Sequence, residues 1–216
     1  QDEMEALADL AIEHDLWVLS DDAYYEIRYT DEPPRSIVNI PGMKERTVIL
    51  YTFSKKFAMT GWRVGASIGP SEVINQIARF NINDESCTNH FIQHALAETV
   101  GGDSSGANEL SSELQARRDE TIKGLNAIDG IHVPTPESTF YSYPNVSTVM
   151  ANKGFTDLDK FRTSALEATG VSFCARHHFG TPLADETDHY IRLAYSGINQ
   201  NDIREGLAKL KSWIEG

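Results

Sequence analysis

The chain has 216 residues, 40% of them hydrophobic and 24% charged, with a formal net charge of −13. That length buries a substantial core in one large or two modest domains. The acidic balance disfavours nucleic acid or an anionic membrane surface as a bulk partner, while leaving room for a local basic pocket.

No apolar run approaches the ~20 residues of a membrane-spanning helix, and the N-terminal residues show no signal-peptide pattern. Cys87 and Cys174 are too few for a disulfide framework. A cytoplasmic, reducing setting is expected, with both thiols buried as small apolar side chains.

The chain opens within an amphipathic helix, in which Met4, Leu7, Ala8 and Ala11 recur at three- and four-residue spacing. Short apolar runs at 16–19, 47–51 and 64–68 read as strands, the second after a turn-rich segment with Pro33, Pro34, Pro41 and Gly42. Pro70-Ser71-Glu72 starts a helix that places Val73, Ile74, Ile77 and Ala78 on one face, and Phe91, Ile92, Ala95 and Leu96 mark another. Apolar strands alternating with helices predict an α/β fold with a mainly parallel sheet covered on both faces.

A Gly/Ser-rich break at 101–106 precedes a long polar helix carrying Leu110, Leu114, Ile122 and Leu125, which ends near Gly130. Beyond it the texture changes to a smaller α+β pattern. Strands are expected at 140–143, 171–174 and 190–195, and a helix at 158–168. The last helix is the clearest, with Ile203, Leu207, Leu210 and Ile214 at spacings of four, three and four. The domain boundary is placed near residue 105, giving domains 1–105 and 106–216.

The chemistry concentrates in Tyr51-Thr-Phe-Ser-Lys-Lys-Phe-Ala-Met-Thr-Gly-Trp-Arg-Val-Gly65. Lys55 and Lys56 sit just past an apolar strand, where a sheet edge opens onto a ligand crevice. A deprotonated lysine condenses with an aldehyde, but periodicity does not choose between the two. Arg63 matches phosphate oxygens in bidentate geometry, and the hydroxyls of Thr52 and Ser54 supply further donors.

Upstream, Ser20-Asp-Asp-Ala-Tyr24 follows the first strand. The Asp21 carboxylate can hold a pyridine nitrogen protonated, making the ring an electron sink, and Tyr24 can donate to a ring oxygen. Together these residues point to pyridoxal 5′-phosphate chemistry.

The segment from Ser54 to Gly65 resembles the cofactor-attachment signature of the class I/II aminotransferases, the aspartate aminotransferase group of fold-type-I enzymes. The resemblance selects Lys55, directly after Ser54 and eight residues before Arg63, as the attachment lysine. It implies Asp21 as the pyridinium partner, Tyr24 as the ring-oxygen partner, and Thr52, Ser54 and Arg63 as the phosphate cup. Tyr190-Ile-Arg-Leu-Ala-Tyr-Ser196 is similar to the family's late strand, which implies Arg192 as the grip on the substrate α-carboxylate.

Two segments depart from the family pattern. Ser138-Thr139 stands where a glycine and a small residue are common, and Ala175-Arg176-His177 where many members carry Pro-Gly-Ser. His177 and His178 could touch substrate, but the simpler reading is of loop histidines without that role, and no metal is expected.

By this resemblance the activity is amino-group transfer between an amino acid and a 2-oxo acid, in a homodimer when full length. A lyase of the same fold, or the aminotransferase-like domain of a MocR-type transcription regulator, would carry the same signature. The resemblance also implies a C-terminal portion: the family's phosphate-binding glycine/serine loop, the stacking aromatic and the asparagine on the ring oxygen precede Gln1. The large domain would then lack roughly its first half, exposing apolar faces and open strand edges. Such a fragment is expected to be inactive alone.

Overall fold

The computed structural model describes residues 2–103 and 105–216. The chain divides into two compact units, Gln1–Leu110 and Ser111–Gly216.

In the first unit, α1 (Asp2–Glu13) buries Ala8 and Ala11. They pack with Ile37 and Met43 in a small core that Met4, Val18 and Ile40 complete. Alanine's short side chain lets the helix backbone approach closely, so the buried stripe is narrow. Leu7, expected on this face, is 60% exposed.

Strand β1 (Val18–Asp21) pairs in parallel with β2 (Thr47–Thr52), Val18 opposite Thr47 and Asp21 opposite Leu50. Strand β3 (Gly65–Ile68) runs antiparallel to β2, with Thr52 opposite Gly65. The expectation of a mainly parallel, doubly covered sheet is therefore corrected for these strands. The connection from Thr52 to Gly65 contains only a short 3-10 turn, Thr60–Trp62, and no crossover helix, so the chain doubles back. Leu19 and Ile68 are more than half exposed, so the outer strands are not covered on both faces.

Helix α2 (Ser71–Asn83) follows Pro70, and α3 is His90–Thr99. Cys87 lies in the link between them and is exposed, and Cys174 is half-buried. Neither thiol is buried as expected, because neither falls on a residue that packs into a core.

Helix α4 (Ser105–Asn126) begins inside the expected Gly/Ser break. In the second unit it buries Leu114, Ile122 and Leu125. The sheet there has the order β4 (Tyr141–Ser142), β6 (Ile191–Ala194), β5 (Cys174–Ala175), with both pairings antiparallel. A short helix, α5 (Ser147–Asn152), has no counterpart in the sequence reading and buries Val149 and Met150.

Helix α6 (Leu158–Thr169) begins at Asp157, whose side chain accepts from the amides of Asp159 and Lys160. It ends at Gly170, whose φ of 75° a residue with a Cβ would adopt only under strain. Helix α7 (Gln200–Glu215) buries Ile203, Leu207 and Leu210. Phe161 packs with Phe155, Phe173 and Trp213 at the centre of this unit.

Candidate active site

Parallel pairing of β1 with β2 puts the carboxyl ends of both strands at one edge of the sheet, the position where α/β sheets bind ligands. Asp21 is the last residue of β1, and Thr52 the last of β2. Because β3 enters antiparallel at Gly65, Arg63 and Val64 reach the same edge. Asp21, Tyr24, Thr52, Ser54, Lys55 and Arg63 thus lie on the turns and strand ends of one sheet edge.

Local hydrogen bonds shape these turns. The Ala23 amide donates to Oδ1 of Asp21 at 3.3 Å, and Ser20 Oγ donates to Asp22 at 2.6 Å. The Ile27 amide donates to the Tyr24 carbonyl at 3.0 Å, and the Ile27 side chain is buried. That anchor fixes the turn that carries Tyr24. After β2, Thr52 Oγ1 accepts from the Ser54 amide at 3.1 Å, and Ser54 is buried.

The Lys55 ammonium lies over the Tyr24 ring, 5.6 Å from its centroid, within the range of a cation–π attraction. Arg63 is exposed and donates from Nη1 to the Thr60 carbonyl at 3.0 Å. Ala58 and Arg63 both take left-handed backbone conformations, with φ of 52° and 50°. Such strain in non-glycine residues concentrates at ligand-binding turns.

Next to Lys55, the Lys56 ammonium forms an ion pair with Glu26, whose other carboxylate oxygen accepts from the Tyr51 hydroxyl. Burial, then the hydrogen bond and charge of Glu26, push the Tyr51 phenol well above its ordinary value. Tyr51 therefore stays a neutral donor to Glu26.

In the second unit, β5 places Cys174 opposite Arg192, and β4 places Tyr141 opposite Ala194. The Arg192 guanidinium lies 4.0 Å from the Phe179 ring centroid and 4.3 Å from that of Tyr141. Phe179 closes a 3-10 turn, Arg176–Phe179. Arg176 is tied to Glu186 at 2.8 Å.

The family model described as "Aminotransferase class I and II" matches residues 1–210. The chain belongs to the class I and II aminotransferases. Its curated relatives include an asparagine–oxo-acid transaminase from Streptococcus mutans, 30% identical over 215 residues, spanning 99% of this chain and 53% of the relative. An aspartate aminotransferase from Musicola paradisiaca is 34% identical over 197 residues, 91% of this chain and 47% of the relative.

Among solved structures, an aromatic aminotransferase from Pyrococcus horikoshii OT3 superposes with a TM-score of 0.90 at 30% identity, covering 100% of this chain and 55% of that one. The chain spans about half the length of the curated relatives it matches. The α/β fold is that of about half of an aminotransferase structure, and the family depends on pyridoxal phosphate.

Within this aminotransferase chain, the sequence reading had no signal for Glu26, Tyr51, Tyr141 or Phe179 as partners of the two basic groups. Glu26 lies two residues past Tyr24, and that proximity to the turn was the available hint. The ring contacts of Arg192 depend on cross-strand register, which no local pattern encodes.

Asp159, His177 and His178 also bring ligand-type atoms within 4.8 Å of one another. Nε2 of His177 lies 3.1 Å from the Asp159 carboxylate. Nδ1 of His178 accepts the Ala175 amide at 3.3 Å. Nε2 of His178 lies 3.9 Å from the same carboxylate, beyond hydrogen-bond range. The His177 and Ala175 contacts tie the turn before Gly180 to α6 and to β5.

Among the described residues, no helix is long and apolar enough to cross a membrane.

Proposed function

We propose that this chain carries the cofactor-attachment lysine and carboxylate grip of an aminotransferase that moves an amino group between an amino acid and a 2-oxo acid. The observation that carries the reading is the Lys55 ammonium over the Tyr24 ring, at the strand-end edge where Asp21 also lies. The donor set fits pyridoxal phosphate group by group: a primary amine, a carboxylate, a phenol, a guanidinium and two hydroxyls.

When bound, pyridoxal phosphate supplies an aldehyde for amine exchange and a ring that accepts the electron pair released at the substrate Cα. Lys55 is the residue whose amine would hold the cofactor's aldehyde group. The same amine would take and return a proton at the substrate Cα, as general base and acid. Asp21 would hold the ring nitrogen protonated, and Tyr24 would donate to the ring oxygen. Thr52, Ser54 and Arg63 would hold the phosphate, and Arg192 would grip the α-carboxylate with a bidentate fork. The partners are an amino acid and a 2-oxo acid, and the whole protein acts as a homodimer.

Borohydride reduction of the pyridoxal phosphate-treated protein, followed by peptide mapping, tests the assignment. The adduct is expected on Lys55 and absent from Lys55→Ala. An adduct elsewhere, or none, would overturn it.

A further inference from the structure

Two adjacent lysines follow β2, and both ammonium groups lie close to aromatic rings. Lys55 is 5.6 Å from the Tyr24 centroid, and Lys56 is 5.2 Å from that of Phe57. Consecutive Cα atoms are only ~3.8 Å apart, so two flexible amines of the same chemistry emerge side by side. Attack on a carbonyl requires an amine with a free lone pair. An uncontrolled neighbour would compete for the same aldehyde and hold the cofactor in the wrong place.

We propose that Glu26 is a positioning residue that removes Lys56 from this competition and so directs aldehyde capture to Lys55; this rests on the reading of Lys55 as the attachment lysine. Glu26 and Lys56 are 30 residues apart in sequence, and their side chains are only 29% and 20% exposed. A part-buried ion pair of this kind is screened by salt less than a surface pair. The pair holds the Lys56 side chain against Glu26, so its amine must leave that carboxylate before it can reach an aldehyde.

Tyr51 completes the clamp. It stands one residue before the end of β2 and donates its hydroxyl to Oε2 of Glu26, while Lys56 binds Oε1. Each carboxylate oxygen thus has its own donor, one from the strand and one from the loop. The Tyr51 donor orients the carboxylate from a strand whose register is fixed by β1 and β3. Replacing Glu26 should free Lys56 without touching Lys55, Asp21 or Arg63.

Trace labelling of the cofactor-free protein with acetic anhydride, read by peptide mass spectrometry, measures amine reactivity without relying on any cofactor. Lys56 should label slowly in the wild type, and Glu26→Gln, which keeps the side-chain shape, should raise its rate about tenfold or more, as expected for loss of a charge-assisted hydrogen bond. Tyr51→Phe should raise it by less.

Pyridoxal phosphate trapping with borohydride then reads the consequence. Lys55→Ala alone should yield no adduct at Lys56, and Lys55→Ala with Glu26→Gln should place one there. An unchanged Lys56 labelling rate in Glu26→Gln with native circular dichroism would overturn the proposal, as would an adduct at Lys56 in Lys55→Ala alone. If wild-type trapping gives no adduct at Lys55, the attachment reading fails and the sorting proposal falls with it. If wild-type trapping succeeds and the Glu26 variants change nothing, only the sorting role is lost.

Discussion

The Arg192 guanidinium carbon lies 4.0 Å from the centroid of the Phe179 ring. Tyr141 contributes a second ring at 4.3 Å. Arg192 lies on β6, Tyr141 on the β4 side of it, and Phe179 in the turn after β5. A cation held against two ring faces keeps its planar fork aimed in one direction before any carboxylate arrives.

Removing either ring should therefore weaken carboxylate binding more than turnover. A single cation–π contact is worth ~0.5–2 kcal/mol, so Phe179→Ala or Tyr141→Ala should raise the KM for the amino acid about 2- to 30-fold, with a smaller change in kcat. Phe179→Leu keeps apolar cover but lacks the ring face and should behave like alanine, whereas Phe179→Tyr should recover. Steady-state kinetics of the whole protein decides the matter, and a wild-type KM in Phe179→Leu would refute the role of the ring.

Asp157 gives the second unit a defined response to acid. Its carboxylate accepts from the Lys160 amide at 3.0 Å and the Asp159 amide at 2.9 Å. These bonds, that from Lys160 foremost, hold its carboxyl below the ordinary value. A depressed folded value means that the unfolded chain binds the proton more readily. The stabilisation is present above the ordinary Asp value of ~3.9 and fades as pH falls through the lower folded value. Asp157→Ala should lower the Tm by a few degrees at neutral pH, and its gap from wild type should close in acid. Thermal scans over about pH 3–7 test this, and a gap independent of pH would count against the capping carboxylate as its cause.

The packing around Phe161 predicts a large cavity cost. Phe161 is buried, with the rings of Phe155, Trp213 and Phe173 at centroid distances of 5.6, 5.4 and 6.1 Å. Phe161→Ala should destabilise the second unit by ~3–5 kcal/mol, and Phe161→Leu by less. Hydrogen exchange of the α6 amides gives a local readout. Unchanged protection in the alanine variant would contradict the packing.

Gly65 is needed for a close approach rather than for its conformational freedom. A Cβ on Gly65 would stand 2.7 Å from the Tyr51 carbonyl oxygen, whereas one on Gly61 would meet nothing within 4 Å. Gly65→Ala should therefore disturb the β2–β3 pairing at a cost of ~1–3 kcal/mol, and Gly61→Ala should stay within ~0.5 kcal/mol of wild type. Urea midpoints compare them. Because β3 delivers Arg63 to the sheet edge, the Gly65 variant should also bind pyridoxal phosphate more weakly, while the Gly61 variant should not.

Much of the secondary structure was legible because its signals are local. The 70–72 start gives α2 at Ser71–Asn83, and the four-three-four spacing gives α7 with Ile203, Leu207 and Leu210 inward. Helix α5 leaves no readable pattern, since six residues show less than two helical turns of periodicity. The apolar character of Leu7 points to an inward side chain, yet the small Ala8 and Ala11 fill the contact. The direction of β3 was also out of reach, because an apolar run has no polarity of its own.

The sequence by itself determined the family, since the run from Ser54 to Gly65 is contiguous and its chemistry is read off in order. It also named the candidate amine, carboxylate, phenol and guanidinium, whose identities are covalent facts. Only the tertiary structure decided which groups meet: Glu26 with Lys56 across 30 residues, and Arg192 with Tyr141 and Phe179. The physical reason is that such contacts follow from strand register and burial, which depend on free energies summed over distant segments and leave no periodic mark on either partner.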